Sequence, residues 1–188
     1  MAVKTATKRS GAGKGEGKGE KLNVGWQPGE HSLHRLLLEA VLKDNPIPFA
    51  YRINYVANFY VGPLVAMMEK SFRLTRSEWI VLFCLTRQPR LNAQQISIVT
   101  GRPKTSIASA VKLLQKKGLI IRRTDIADSR RRVLHLTESG QRTYASIIKS
   151  FIEREKAMMD ALDPTERREL ARLFGKIISA ADTWATPY

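Results

Sequence analysis

Thr105, Ser106 and Ser109 lie close together in the stretch RPKTSIASAVK, with cations beside them at Lys104 and Lys112. Each hydroxyl can both donate and accept a hydrogen bond. Short polar side chains flanked by cations are what groove reading of a nucleic acid requires. Other chemistry finds little footing in the sequence. It contains no Ser/His/Asp set and no phosphate-cradling loop, because Gly11 to Gly19 lacks the flanking strand and helix such a loop needs. His31 and His34 have the i, i+3 spacing of a shared metal site, yet no third ligand is in reach by sequence, so they read as capping or surface groups. The single cysteine, Cys84, excludes an intrachain disulfide and a multi-cysteine metal site. It falls inside an apolar helix and reads as a small inert hydrophobe. The expectation is a protein that is not an enzyme and needs no cofactor or metal.

The elements that must position those hydroxyls run from Arg87 to Leu136. Asn92 is placed to cap a short helix, with Ile96, Ile98 and Val99 as its buried side. Gly101 breaks the chain, and Pro103 sets the backbone for a second helix. In that helix Ile107, Ala110, Val111 and Leu114 fall at i, i+3, i+4, i+7 and form one buried stripe. Lys104, Thr105, Ser106, Ser109 and Lys112 are left facing outward. Gly118 ends the helix, and LIIRR and VLHL alternate about a turn from Asp125 to Arg130 as a hairpin. The pattern is a helix-turn-helix followed by a wing.

Charge is concentrated in the same place. Between Arg87 and Arg132 twelve Lys/Arg face two acids, Asp125 and Asp128, a net +10, and residues 1–21 add +4 of the chain's +15. A pI near 10.3 points to a polyanionic partner, nucleic acid before membrane. The 188 residues, 43% hydrophobic, suffice for one globular domain with a tail. With no run of 18 apolar residues, no transmembrane helix and no membrane partner are expected. A Gly/Lys-rich start without an apolar segment is not a secretory signal, so a cytoplasmic protein is expected.

Around this centre the chain divides into a basic disordered tail (1–29), N-terminal helices (30–71), the DNA-binding lobe (72–137) and C-terminal helices (138–188). Leu33, Leu36, Leu37 and Val41 form one stripe in 31–43, before Asp44-Asn45-Pro46-Ile47-Pro48 breaks the helix. Residues 49–71 read as a helix apolar on more than one face, carrying Tyr51, Tyr55, Phe59, Tyr60, Leu64, Met67 and Met68, with a kink at Gly62-Pro63. Thr75 and Glu78 form a capping box ahead of a helix in which Trp79, Leu82 and Phe83 are core. Thr137 with Gly140 opens a helix over about 138–161, striped by Tyr144, Ile147, Ile148, Phe151, Ile152, Met158, Met159 and Leu162. Asp163 caps the last helix, with Pro164 first and Leu170, Leu173, Phe174, Ile177, Ile178, Ala181 and Trp184 along it. These flanks hold more apolar stripe than one chain needs, which predicts a homodimer built from its two ends. The fold class is mainly α with a small β-wing: a winged helix-turn-helix with terminal dimerisation helices.

From about Phe49 to Trp184 the order of elements resembles the MarR family of bacterial transcription regulators. LTRSEWIVL is similar to the family's LT-x-x-QW-x-x-L, KTSIASAVKLLQKKGLI to its recognition helix and exit, and TDIADSRRRVLHLTESG to its wing signature. Ile126 and Ser129 stand where that signature has Pro and its first Arg, and Ser109 where an arginine is common. The resemblance implies a repressor-type regulator, binding a palindromic operator in double-stranded DNA as a dimer at the bacterial nucleoid. Thr105, Ser106 and Ser109 would meet base edges, and Arg102, Lys104, Lys112 and Lys116 phosphates. Arg130 of the wing, held by Asp128 and flanked by Arg131 and Arg132, would enter the minor groove. It further implies release by a small aromatic acid or its CoA thioester, bound among Tyr55, Phe59, Trp79, Phe83 and Phe151, with Arg52, Arg73 or His34 as the anion's partner. A non-specific architectural nucleic-acid binder is the rival, since basic charge alone predicts affinity for any duplex.

Overall fold

The computed structural model describes residues 30–125 and 130–185. Its N-terminal unit contributes one described helix, α1 (Glu30–Leu42), crossed by an Arg35–Glu39 pair one turn apart. The expected stripe of Leu33, Leu36, Leu37 and Val41 lies on α1 and is exposed.

The second unit holds the rest. α2 runs unbroken from Pro48 to Phe72, with Pro63 inside it. It is followed by α3 (Arg76–Arg87), α4 (Ala93–Thr100) and α5 (Lys104–Lys116). The two-stranded sheet β1 (Ile120–Thr124) and β2 (Arg132–Leu136), α6 (Glu138–Met159), α7 (Pro164–Ser179) and one turn of α8 (Ala181–Trp184) complete it. The expected single last helix is divided at Ala180, where φ −96° and ψ 14° leave the α region.

Local chemistry explains the starts and stops. The Thr75 and Asn92 side chains accept from the amides of Glu78 and Gln95, which reach back to the cap amides, giving two complete capping boxes. Asp163 does the same with Glu166 behind Pro164. Gly101 and Gly118 close α4 and α5 at φ +61° and +69°, a region that costs glycine little. The hairpin is antiparallel, pairing Ile120 with Leu136 and Thr124 with Arg132. The Leu134 amide also donates to the Leu91 carbonyl at 2.9 Å, tying β2 to the segment that enters α4.

The core lies directly beneath α5. Ile107, Ala110, Val111 and Leu114 are all buried, against Leu82 and Leu85 of α3, Ile96 of α4, Ile120 and Leu134 of the sheet and Ile147 of α6. Three expected core residues are exposed instead: Ile98 at 71%, Val99 at 69% and Phe83 at 42%. α4 spans only eight residues, so a single position, Ile96, suffices to seat it. Phe83 stays within ring contact of Trp79 and Tyr144 while one side faces solvent.

Candidate nucleic-acid interface

The buried stripe of α5 fixes what its opposite side presents. Thr105, Ser109, Lys112 and Lys116 follow at i, i+4, i+7 and i+11, and all four are exposed. Lys104 is exposed on one flank, and Ser106 is half-buried on the other. No acid lies on this helix. Its outer face therefore combines two short hydroxyls with two ammonium groups, backed by a packed layer that resists rotation.

The two ends of α5 are held. At its C-terminus the Lys117 ammonium contacts Glu78 Oε1 and the Arg73 carbonyl oxygen, each at 2.6 Å. The Glu78 side chain is fully buried, and its second oxygen accepts the Thr75 amide at 2.9 Å. One carboxylate thus caps α3 and pins the end of α5. A buried charge of this kind survives only when paired and hydrogen-bonded. Arg73 has φ +52°, unusual for a non-glycine residue, and its carbonyl is what Lys117 grips. At the other end Ser97 Oγ donates to the Arg102 carbonyl at 2.6 Å and bridges the turn between α4 and α5. Burial, with Arg76 nearby, lowers the Arg102 guanidinium below its ordinary value.

The wing is braced at its base. Arg90, at φ +69°, pairs with Asp125 at 2.7 Å, and the Asp125 amide donates to the Arg131 carbonyl at 2.9 Å. Arg130, Arg131 and Arg132 are exposed, and the Arg132 guanidinium donates to Thr124 Oγ1. The expected Asp128 hold on Arg130 falls outside the described residues. Where β2 turns into α6, the Thr137 hydroxyl donates to the Gly118 carbonyl at 2.8 Å.

The aromatic residues divide into two groups. Trp79 is buried and stacks on Tyr144 and Phe151, with centroids 5.4 Å and 4.5 Å away, so these rings join α3 to α6. Tyr55 and Phe59, 4.5 Å apart, line a separate open cavity of about 360 Å³ with Val56, Tyr60, Ala157 and Met158. Its cation is Arg154, which sequence reading missed. Arg52 instead donates to the Pro48 carbonyl, Arg73 caps α2, and His34 lies on α1 in the other unit. Burial chiefly, helped by Tyr51, raises the Tyr55 phenol. Burial and then Glu155 raise Tyr60 against the pull of Arg154. Both phenols therefore remain protonated donors at neutral pH. Burial likewise pushes the half-buried Cys84 thiol up, away from the reactive thiolate.

The sequence profile of the MarR family matches residues 74–131, from the residue before the Thr75 cap into the wing. Over that segment the chain is similar to the MarR family. A curated relative, a putative transcriptional regulatory protein for the hcr operon of Thauera aromatica, is 25% identical over 122 residues, covering 62% of this chain and 74% of that one. The solved MarR/EmrR family regulator of Acinetobacter sp. ADP1 is 27% identical, with a TM-score of 0.65 over 71% of this chain and 94% of that one. MepR of S. aureus, solved as a DNA complex, shares the fold at 22% identity and TM-score 0.64, covering 73% and 99%. The chain thus shares a winged-helix fold with these proteins, and the relatives it resembles are named as transcriptional regulators. Among the described residues no helix is long and apolar enough to cross a membrane.

Proposed function

We propose that this chain is a MarR-type regulator that binds a palindromic operator sequence-specifically as a homodimer, acts as a repressor, and is released by a small aromatic acid or its CoA thioester. The observation that carries the reading is the exposed α5 stripe of Thr105, Ser109, Lys112 and Lys116, acid-free and held at its C-terminal end by Glu78 and Lys117. Thr105, Ser106 and Ser109 address base edges in the major groove, while Arg102, Lys104, Lys112 and Lys116 take phosphates. Arg130, with Asp128 beside it in sequence, enters the minor groove, where narrow A·T tracts concentrate negative potential. Two recognition helices sit about one helical turn apart, roughly 34–36 Å.

Dimerisation has its own support. α7 buries none of its residues, and Leu173, Phe174, Ile177 and Ile178 are exposed along it. Fully burying such a side chain is worth about 1.5–3 kcal/mol, so covering these partly exposed ones with a second copy recovers a fraction of that for each. The cavity beside Tyr55, Phe59 and Arg154 offers ring faces, two neutral phenol groups and a guanidinium, a combination suited to an aromatic carboxylate.

The test is a gel shift over DNA upstream of the coding region, with random duplex as competitor. A shift that survives excess random DNA, followed by footprinting with a two-fold pattern, supports the reading. Equal loss to random DNA supports an architectural binder instead. Calorimetry with aromatic acids and their CoA thioesters tests the effector, and no heat with any of them removes it.

A further inference from the structure

Arg122 and Arg132 stand on one face of the hairpin. The register pairs Arg122 with Leu134 and Thr124 with Arg132, so the two arginines are diagonal neighbours across the strands. Positions so related lie about 7–8 Å apart, within reach of long side chains. Leu134 on that face is buried, and its amide bonds the Leu91 carbonyl just ahead of α4, so this face borders the start of that helix. There Arg122 and Arg132, with Asn92, Ala93 and Gln94, line a concavity of about 260 Å³.

Two guanidinium groups converging on one concavity repel each other and do not by themselves favour folding. Among the described residues neither is in an ion pair, and Asp125, the nearest described carboxylate in sequence, is engaged by Arg90 at 2.7 Å. The start of α4 adds to the positive potential. Asn92 satisfies the Gln95 amide, whereas the first two amides of the helix, Ala93 and Gln94, have no acceptor within the helix. A small anion with several acceptor oxygens relieves this arrangement, and guanidinium forks match a tetrahedral phosphate.

We propose that the concavity between the hairpin and the start of α4 holds a DNA backbone phosphate, gripped by Arg122 and Arg132. The proposal rests on the DNA-binding reading and adds a phosphate clamp on the face of the wing that borders α4, separate from its tip. Held there, the backbone sets how deeply α5 enters the groove, because phosphate contacts fix register while base contacts specify sequence.

Fluorescence anisotropy of the full chain on a random duplex, over a series of chloride concentrations, tests this. Each phosphate contact contributes about 0.9 to the slope of log affinity against log salt. Arg122→Gln and Arg132→Gln should each lower that slope by about 0.9 per bound protomer. Arg122→Lys should keep it, and Lys149→Gln on α6 should leave it unchanged. Both arginines are exposed, and thermal melts of the variants check that they fold. A wild-type slope in Arg122→Gln, with binding intact, overturns the clamp and leaves the DNA-binding reading standing. No salt-dependent binding by the wild type overturns both. Inorganic phosphate added at constant ionic strength should not displace the duplex. Displacement by phosphate that Arg122→Gln abolishes would assign the concavity to a free anion and overturn the backbone contact.

Discussion

Arg154 donates to the carbonyl oxygen of Phe59, the acceptor that Pro63 leaves without its helical donor. In an unbroken α-helix the amide of residue 63 would bond that oxygen, and proline has no N–H. The same guanidinium also donates to the Tyr60 carbonyl at 2.8 Å. α6 thereby repairs the defect in α2, and α2 continues through Pro63 to Phe72.

Removing Arg154 should expose that defect. Arg154→Ala is expected to destabilise the protein by about 1–3 kcal/mol, the usual range for hydrogen bonds from a charged donor. Pro63→Ala restores the missing amide, so Arg154→Ala should cost less in that background. Urea unfolding of the four proteins of this cycle, at one fixed concentration, measures the coupling. Additive effects would mean that Arg154 acts only through Tyr60 or through charge.

The Glu78–Lys117 contact makes a second prediction. Lys117→Met leaves the Glu78 carboxylate buried without its cation, which typically costs about 3–5 kcal/mol. Glu78→Gln keeps the hydrogen-bonding shape of the capping box and removes the charge. The double variant Glu78→Gln/Lys117→Met should therefore be more stable than Lys117→Met alone, as read by denaturant midpoints.

Much of this was legible in the sequence, for identifiable reasons. The stripe Ile107, Ala110, Val111 and Leu114 and the caps Thr75, Asn92, Thr137 and Asp163 are local patterns, and all appear as expected. Ile98 and Val99 misled because periodicity on an eight-residue helix cannot tell which apolar residues a neighbour will cover. Glu78 was visible as a cap, but the bond to Lys117 spans 39 residues and no spacing rule reaches it. Arg154 had a readable signal that went unused: a proline inside a helix orphans a carbonyl, and a donor must come from elsewhere. The ligand expectation gathered aromatic residues by type, whereas packing placed Trp79 and Phe151 in the α3–α6 joint and only Tyr55 and Phe59 at the cavity.

Gly140 carries a third prediction. A Cβ built there would lie 2.1 Å from the Leu119 carbonyl oxygen, which already accepts the Thr137 amide at 3.0 Å. The carbonyl is backbone and a Cβ is held rigidly by its own backbone, so neither can swing aside. Gly140→Ala should lose about 3 kcal/mol or more, at the upper end for overpacking, despite the better helix propensity of alanine. Thermal unfolding checks it, and a neutral result would mean that the β2–α6 junction shifts freely.

Recognition helix and wing should fail in different ways. Lys112 is exposed on the outer stripe of α5 with a point charge and no fixed geometry, so Lys112→Ala should weaken binding to operator and random duplex alike and flatten the salt slope by about one. Arg130 is exposed where the hairpin ends, and a side chain inserted into a narrow minor groove responds to sequence. Arg130→Ala should therefore cost about 1–3 kcal/mol on the operator, much less on random duplex, and leave unfolding unchanged. Anisotropy on both duplexes separates the two. If Arg130→Ala lowers both affinities equally, the wing contributes charge only, and specificity rests on Thr105, Ser106 and Ser109.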